Sequence, residues 1–226
     1  MPATKALAGG HLRTPRAAAV AGVLFSVLLM TALMLLRLSV PDDPLERGAW
    51  LGTDSGRVVL ALNLVPFAGI AFLWFIGVLR ARLADREDRL FATVFLGSGL
   101  LFLAMLFTGA AAIGAIILVH ASQPEALIPG GSFAIARALS YGLFNIYAVK
   151  MAAVFMFVTS TIMIGTRFAA RWIAFLGYGL SLMLLFGSGV TRWSVAVFPL
   201  WVLVISLYIL IDNLRHPPEA ATAGED

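Results

Sequence analysis

From Leu90 to Val119 the chain runs for 30 residues without a charged side chain. At about 1.5 Å per residue, a helix over that run is roughly 45 Å long, the thickness of a bilayer with its headgroups. Few helices of globular domains reach this length, so the run predicts a membrane span. Four further uncharged runs repeat the pattern at 17–36, 58–79, 172–190 and 195–211. A sixth, 142–165, carries a single charge, Lys150.

Composition agrees with that reading. Hydrophobic residues make up 61% and charged residues 12% of the 226 positions. Soluble domains average about 25% charged, so this chain has more apolar surface than one aqueous core can hide, and lipid must cover the remainder. The expected fold is all-α: an integral membrane bundle of six transmembrane helices with short loops. A basic tail (1–16) precedes it and a polar tail (212–226) follows. The longest loop, 37–57, leaves no length for a soluble domain.

The first run, Ala17 to Leu36, exceeds the roughly 7–15 apolar residues of a signal-peptide core. No small-x-small site follows it, so an uncleaved first helix is expected. Pro41 and Pro44 end that helix, and Trp50 suits an interfacial position. Ser132 reads as the N-cap of a helix from Phe133 that runs through Arg137 into the fourth span. Thr191-Arg192-Trp193-Ser194 reads as a tight turn.

Six spans place both termini on one side. That side holds Lys5, Arg13, Arg16, Arg80, Arg82, Arg86, Arg89, Arg167, Arg171 and Arg215, against Arg37, Arg47, Arg57, Arg137 and Arg192 on the other. The basic excess marks the cytoplasm, so both termini are expected inside. The Ala/Arg/Gly bias points to a bacterial inner membrane. The cluster at 80–89, RARLADREDR, marks topology; its arginines Arg80, Arg82, Arg86 and Arg89 also suit anionic lipid headgroups.

Lys150 is the one charge far from a span end. With Arg137 and Arg167 at headgroup level, it lies about 20 Å from the first and about 26 Å from the second. A lysine near the midplane costs about 2.5–3.5 kcal/mol on insertion scales. No Asp or Glu lies within a span core to meet it. It is therefore held uncharged by its apolar surroundings, or it attracts an anionic ligand, or it snorkels. Snorkelling follows if the fourth span starts nearer Asn145. Asn63, Asn145, Tyr147 and Lys150 are the residues expected to line a ligand or pore site, with His120 at the outer edge. Each asparagine has a competing role, bonding a backbone carbonyl of its own or a neighbouring helix. Thr159, Ser160 and Thr161 are expected to bond their own helix.

The chain has no cysteine, and His11, His120 and His216 are far apart. No metal site, cofactor or nucleic-acid partner is expected. HExxH, GxSxG and GxxxxGK[ST] motifs are absent, so no catalytic residue is assigned and the chain reads as a non-enzyme. FLGSGLLFLAML (95–106) echoes FLGYGLSLMLLF (175–186), which aligns spans 2–3 with spans 4–5 and sets Asn63 opposite Asn145. Two functions follow. One is binding or moving a small solute, ion or lipid through a polar site around Lys150. The other is a non-catalytic membrane subunit that packs through small-residue faces, such as GAAAIGA (109–115), against a second copy or another membrane protein.

Overall fold

The computed structural model describes residues 14–41, 43, 48–83, 89–123, 131–166, 170–187 and 193–215. All regular structure among them is helical: α1 (Thr14–Ser39), the single turn α2 (Trp50–Thr53), α3 (Ser55–Leu83), α4 (Arg89–Ser122), α5 (Ser132–Gly142), α6 (Val149–Thr166), α7 (Arg171–Gly187) and α8 (Ser194–Arg215). A π-helical segment, Leu143–Ala148, joins α5 to α6. Together they form one rod.

Five stretches are long and apolar enough to cross a membrane: Ala17–Ser39, Ser55–Arg80, Leu90–Ser122, Ser132–Gly165 and Ser194–Asp212. The expected fifth span, 172–190, is the shorter apolar helix α7, of 17 residues. The fourth extends further than the expected 142–165, because the helix begins at Ser132. Its N-cap is Gly131, which holds φ 73°, and no side chain caps it. A left-handed backbone suits glycine, so Ser132 becomes the first helical residue instead of the cap. Residues 1–13 and 216–226 of the two tails, and Thr191 and Arg192 of the expected tight turn, lie outside the described residues.

The centre is a cluster of phenylalanines, one from each of five helices: Phe25 (α1), Phe72 (α3), Phe102 (α4), Phe155 (α6) and Phe198 (α8). Ring centroids lie 4.6 Å apart for Phe25–Phe72, 5.3 Å for Phe72–Phe155 and 4.8 Å for Phe102–Phe198. All five are buried. Such tilted and edge-on pairs add about 0.5–1.5 kcal/mol each beyond area burial. Small residues let the backbones close around them. A Cβ on Gly22 would strike Ser206 Oγ of α8, and one on Gly177 would strike Ser160 Oγ of α6. Around the outside, large apolar side chains such as Phe67, Trp74, Leu118 and Phe186 are exposed, as a lipid-covered surface requires.

α1 packs mainly on α3 and α8, α4 on α6, and α7 on the outside of α6. The helices end at unequal heights. Tyr178 of α7 donates to Thr161 Oγ1 of α6 at 2.8 Å, which fixes their antiparallel register. From that bond α7 continues to Gly187, about 14 Å, whereas the α5–α6 rod continues to Ser132, about 44 Å. Gly22 opposite Ser206 likewise sets the start of α8 near Met34, more than a turn short of the end of α1. The α7–α8 hairpin therefore forms a step below the end of the bundle built by Ser39, Ser55, Ser122 and Ser132. That end is called the upper end below.

Candidate functional site

A cavity of about 70 Å³ opens at the step. Its walls come from the end of α1 (Leu33, Leu36, Arg37, Val40, Pro41), from α5 and the π segment (Arg137, Tyr141, Asn145), and from Val195 at the start of α8. A volume of this order holds several waters or one small anion.

Two guanidinium groups face this cavity. Arg37 donates from Nη2 to Asn145 Oδ1 at 2.8 Å. Asn145 in turn donates from Nδ2 to the Tyr141 carbonyl at 3.0 Å. A π turn leaves carbonyls without their usual α-helical partner and commonly marks a functional position; here Asn145 lies inside it. Arg137 donates from Nη2 to the Pro41 carbonyl at 2.8 Å. Only 4% of Arg137 is exposed. Its Cζ lies 6.0 Å from the ring centroid of Trp50, at the edge of cation–π range.

Pro41 and the described residues from Gly48 onward make these contacts. Gly48 holds φ 78°, and a Cβ there would meet Phe133 of α5 at 2.9 Å. Trp50, at 3% exposure, is thus buried beneath Arg137 and is not placed at the surface as an interfacial tryptophan would be. Burying a guanidinium is costly unless its donors are satisfied, and the Pro41 carbonyl and the indole face supply part of that. Among the described residues that line the cavity there is no carboxylate. The arrangement is a half-open basin with two fixed positive charges and an orienting amide. It suits a small anion, since Arg forks match carboxylate and phosphate oxygens.

Of the four site residues expected from sequence, only Asn145 lines this cavity. Lys150 lies on the outward face of α6 with Val154, Phe157 and Thr161, and it is partly exposed. No hydrogen bond or ion pair joins it to another described residue. The Tyr178–Thr161 register sets it level with the end of α7, beside the step. Tyr147 is 59% exposed nearby. Asn63 is exposed on α3. The structure does not gather the four into one pocket. His120 sits in the last turn of α4 with its Nδ1 buried and unbonded.

Thr159, Ser160 and Thr161 each bond a carbonyl four residues back. The glycines of the internal echo occupy different surroundings. Gly99 packs against Ile76 and Phe155, while its counterpart Gly179 meets nothing; Gly97 meets nothing, while Gly177 is tightly packed. Of the basic cluster, Arg80 is exposed, Arg82 and Arg89 fall within α3 and α4, and Arg86 lies outside the described residues. Among the described residues no group of three or more His, Asp or Glu side chains could hold a metal.

Sequence reasoning used Arg37 and Arg137 only as headgroup markers. A signal was present in their neighbours: neither has an acidic residue within four positions, unlike Arg82, Arg86 and Arg89. An arginine flanked only by apolar and small residues needs its partner from elsewhere in the fold. No family model, curated protein or solved structure matches the chain.

Proposed function

We propose that this chain is a non-catalytic, multi-pass protein of the bacterial inner membrane that binds a small anionic group at its upper end. The observation that carries this reading is the convergence of Arg37, Arg137 and Asn145 on one cavity. In this reading α7 also crosses the membrane, which makes six spans, both termini are cytoplasmic, and the upper end faces outward. Trp193, Tyr141, Tyr147 and Lys150 then form the outer interfacial belt, with Trp172, Arg80, Arg171 and Arg215 exposed at the inner one. From Lys150 to Gly165 the rod covers about 23 Å, so Lys150 snorkels from the edge of the hydrocarbon layer and not from its midplane. The arginines of 80–89 meet anionic lipid on the inner face.

The test is thermal unfolding of the purified full chain in neutral detergent, with inorganic phosphate or acetate added at constant ionic strength. A rise in midpoint that disappears in the Arg37→Gln variant supports the site. Equal shifts in both proteins sink it.

A specific observation favours a second reading, a subunit that docks through α4. Ala104, Thr108, Ala111 and Ala115 form an exposed small-residue stripe on that helix, opposite the face where Gly109 packs against Phe144. Such stripes admit close helix approach. Disulfide formation in membranes by an Ala111→Cys variant of this cysteine-free chain checks it; its absence removes a symmetric contact there.

A further inference from the structure

Asn63 is a polar side chain that the packing of one chain does not explain. It lies on α3 within an otherwise apolar run, Val58 to Leu73. The side chain is exposed, and no hydrogen bond joins it to another described residue. Asn145, by contrast, bonds a carbonyl four residues back and accepts from Arg37. Depth makes the isolation of Asn63 costly. The Asp54–Arg57 ion pair, at 3.0 Å, marks the polar end of α3, and Asn63 lies about 9 Å beyond Arg57 along the helix. An asparagine stem is too short to snorkel that far. An amide that faces hydrocarbon without a partner is strongly disfavoured.

Two glycines share its face. Gly56, Asn63, Ile70 and Gly77 recur every seven residues, and all four are exposed. A Cβ added at Gly56 or Gly77 would meet nothing within 4 Å, and neither glycine holds a positive φ. Gly69 is different, because a Cβ there would strike Phe107 of α4. Gly77 stands well inside α3, where glycine weakens a helix relative to alanine, yet no neighbour within the chain needs the space. Beside this stripe runs a second exposed row with the same spacing, Leu60, Phe67 and Trp74. A seven-residue repeat of this kind is the seam of a left-handed helix pair. Glycines in the seam admit close approach, and a single asparagine there fixes register and the number of strands.

We propose that α3 packs against α3 of a second copy of this chain along the Gly56–Asn63–Ile70–Gly77 stripe, with the two Asn63 amides paired across a two-fold axis normal to the membrane. The occupant is a second copy because the amide is self-complementary: each Oδ1 accepts from the Nδ2 of the other. The two-fold also sets both asparagines at one depth automatically, whereas an unrelated protein needs a polar group of its own at that depth. This face is separate from the α4 stripe, and the contact depends on neither Arg37 nor the anion cavity.

The test uses the full chain in vesicles of phosphatidylcholine and phosphatidylglycerol, at a lipid dilution where paired copies are a minority. The chain has no native cysteine, so an Ile70→Cys variant forms a disulfide only where two copies meet. Oxidation with copper phenanthroline should link Ile70→Cys far faster than Phe186→Cys, a control exposed on α7. Adding Asn63→Leu should slow the linkage about tenfold, the size of a polar contact between spans. Gly77→Leu should slow it likewise, because the larger side chain holds the helices apart. The two substitutions are made separately and both face away from the packed interior, so one misfolded variant does not decide the outcome.

Linkage at Ile70 no faster than at Phe186, or a rate that Asn63→Leu and Gly77→Leu leave unchanged, overturns the proposal. The Ala111→Cys variant distinguishes the two faces. Linkage there with none at Ile70 leaves the α4 contact standing and removes this one. Linkage at Ile70 slowed by Asn63→Leu supports this one whatever Ala111→Cys does.

Discussion

Arg37 at the end of α1 holds the side-chain oxygen of Asn145, 108 positions later in the chain, at 2.8 Å. Because Asn145, inside the π segment, also donates to the Tyr141 carbonyl of α5, this one amide ties the first helix to the irregular turn of the α5–α6 rod. Replacing it by leucine removes that acceptor from a partly buried guanidinium. Asn145→Leu is therefore expected to cost about 1–3 kcal/mol, read as a lower unfolding midpoint in detergent. Asn145→Asp keeps an acceptor for Arg37 but loses the donor to Tyr141, so it should lower the midpoint less than leucine does and should lose anion-induced stabilisation. A leucine variant as stable as wild type would show that the tie contributes nothing.

The π segment sets the phase between Arg137 and the packed face of α6. Inserting one alanine in the α-helical stretch after Ala148 should rotate α5 by about 100° against α6. Arg137 would then turn away from Pro41 and Trp50. The expected result is a folded but less stable protein without anion response. An insertion that leaves both properties intact refutes the phase argument.

Gly177 and Gly179 offer a paired test of packing. Gly177→Ala forces a methyl against Ser160 and Trp201, and such overpacking costs about 1–3 kcal/mol. Nothing lies near a Cβ at Gly179, so Gly179→Ala should be neutral or slightly stabilising. The comparison needs only thermal melts of two variants, and equal melts would count against the described α6–α7 seam.

Lys150 is placed by accessibility. The chain has no native cysteine, so a Lys150→Cys variant reports its position without background. A membrane-impermeant maleimide applied from outside should label it, along with Trp193→Cys, while Arg171→Cys reacts only after permeabilisation. Protection of the variant at 150 with labelling at 193 would return Lys150 to the membrane interior. For the same reason Lys150→Met should leave anion stabilisation unchanged.

The spans were legible because hydrocarbon imposes a long uncharged run wherever a helix crosses it. That constraint is local and survives in Leu90–Val119 or Ala17–Leu36 without knowledge of any neighbour. The height of a span is not local. Whether Lys150 is deep or shallow depends on where α7 stops, and that depends on the register fixed by Tyr178 and Thr161. The cavity was still less accessible to sequence. It requires Pro41 to meet Arg137, and an arginine near one helix end to reach an asparagine in another helix. Depth from charged flanks drew attention to Lys150, the conspicuous charge, and away from two arginines that looked like ordinary boundary markers. What was legible of the site was Asn145 alone, as a polar residue in an apolar run. The π turn that aims it leaves no trace in hydropathy.

The unequal heights of the helices have a consequence for the bilayer itself. Around one side the protein presents rods of 33 and 34 residues, around the other an apolar helix of 17. A membrane of uniform thickness cannot match both, and hydrophobic mismatch is relieved by tilting the protein or by thinning the lipid locally. On the proposed topology, thinning falls beside α7 and α8, where it draws the headgroup layer down toward Arg37. The bundle would then shape the lipid around it, with the dimple leading to its own cavity.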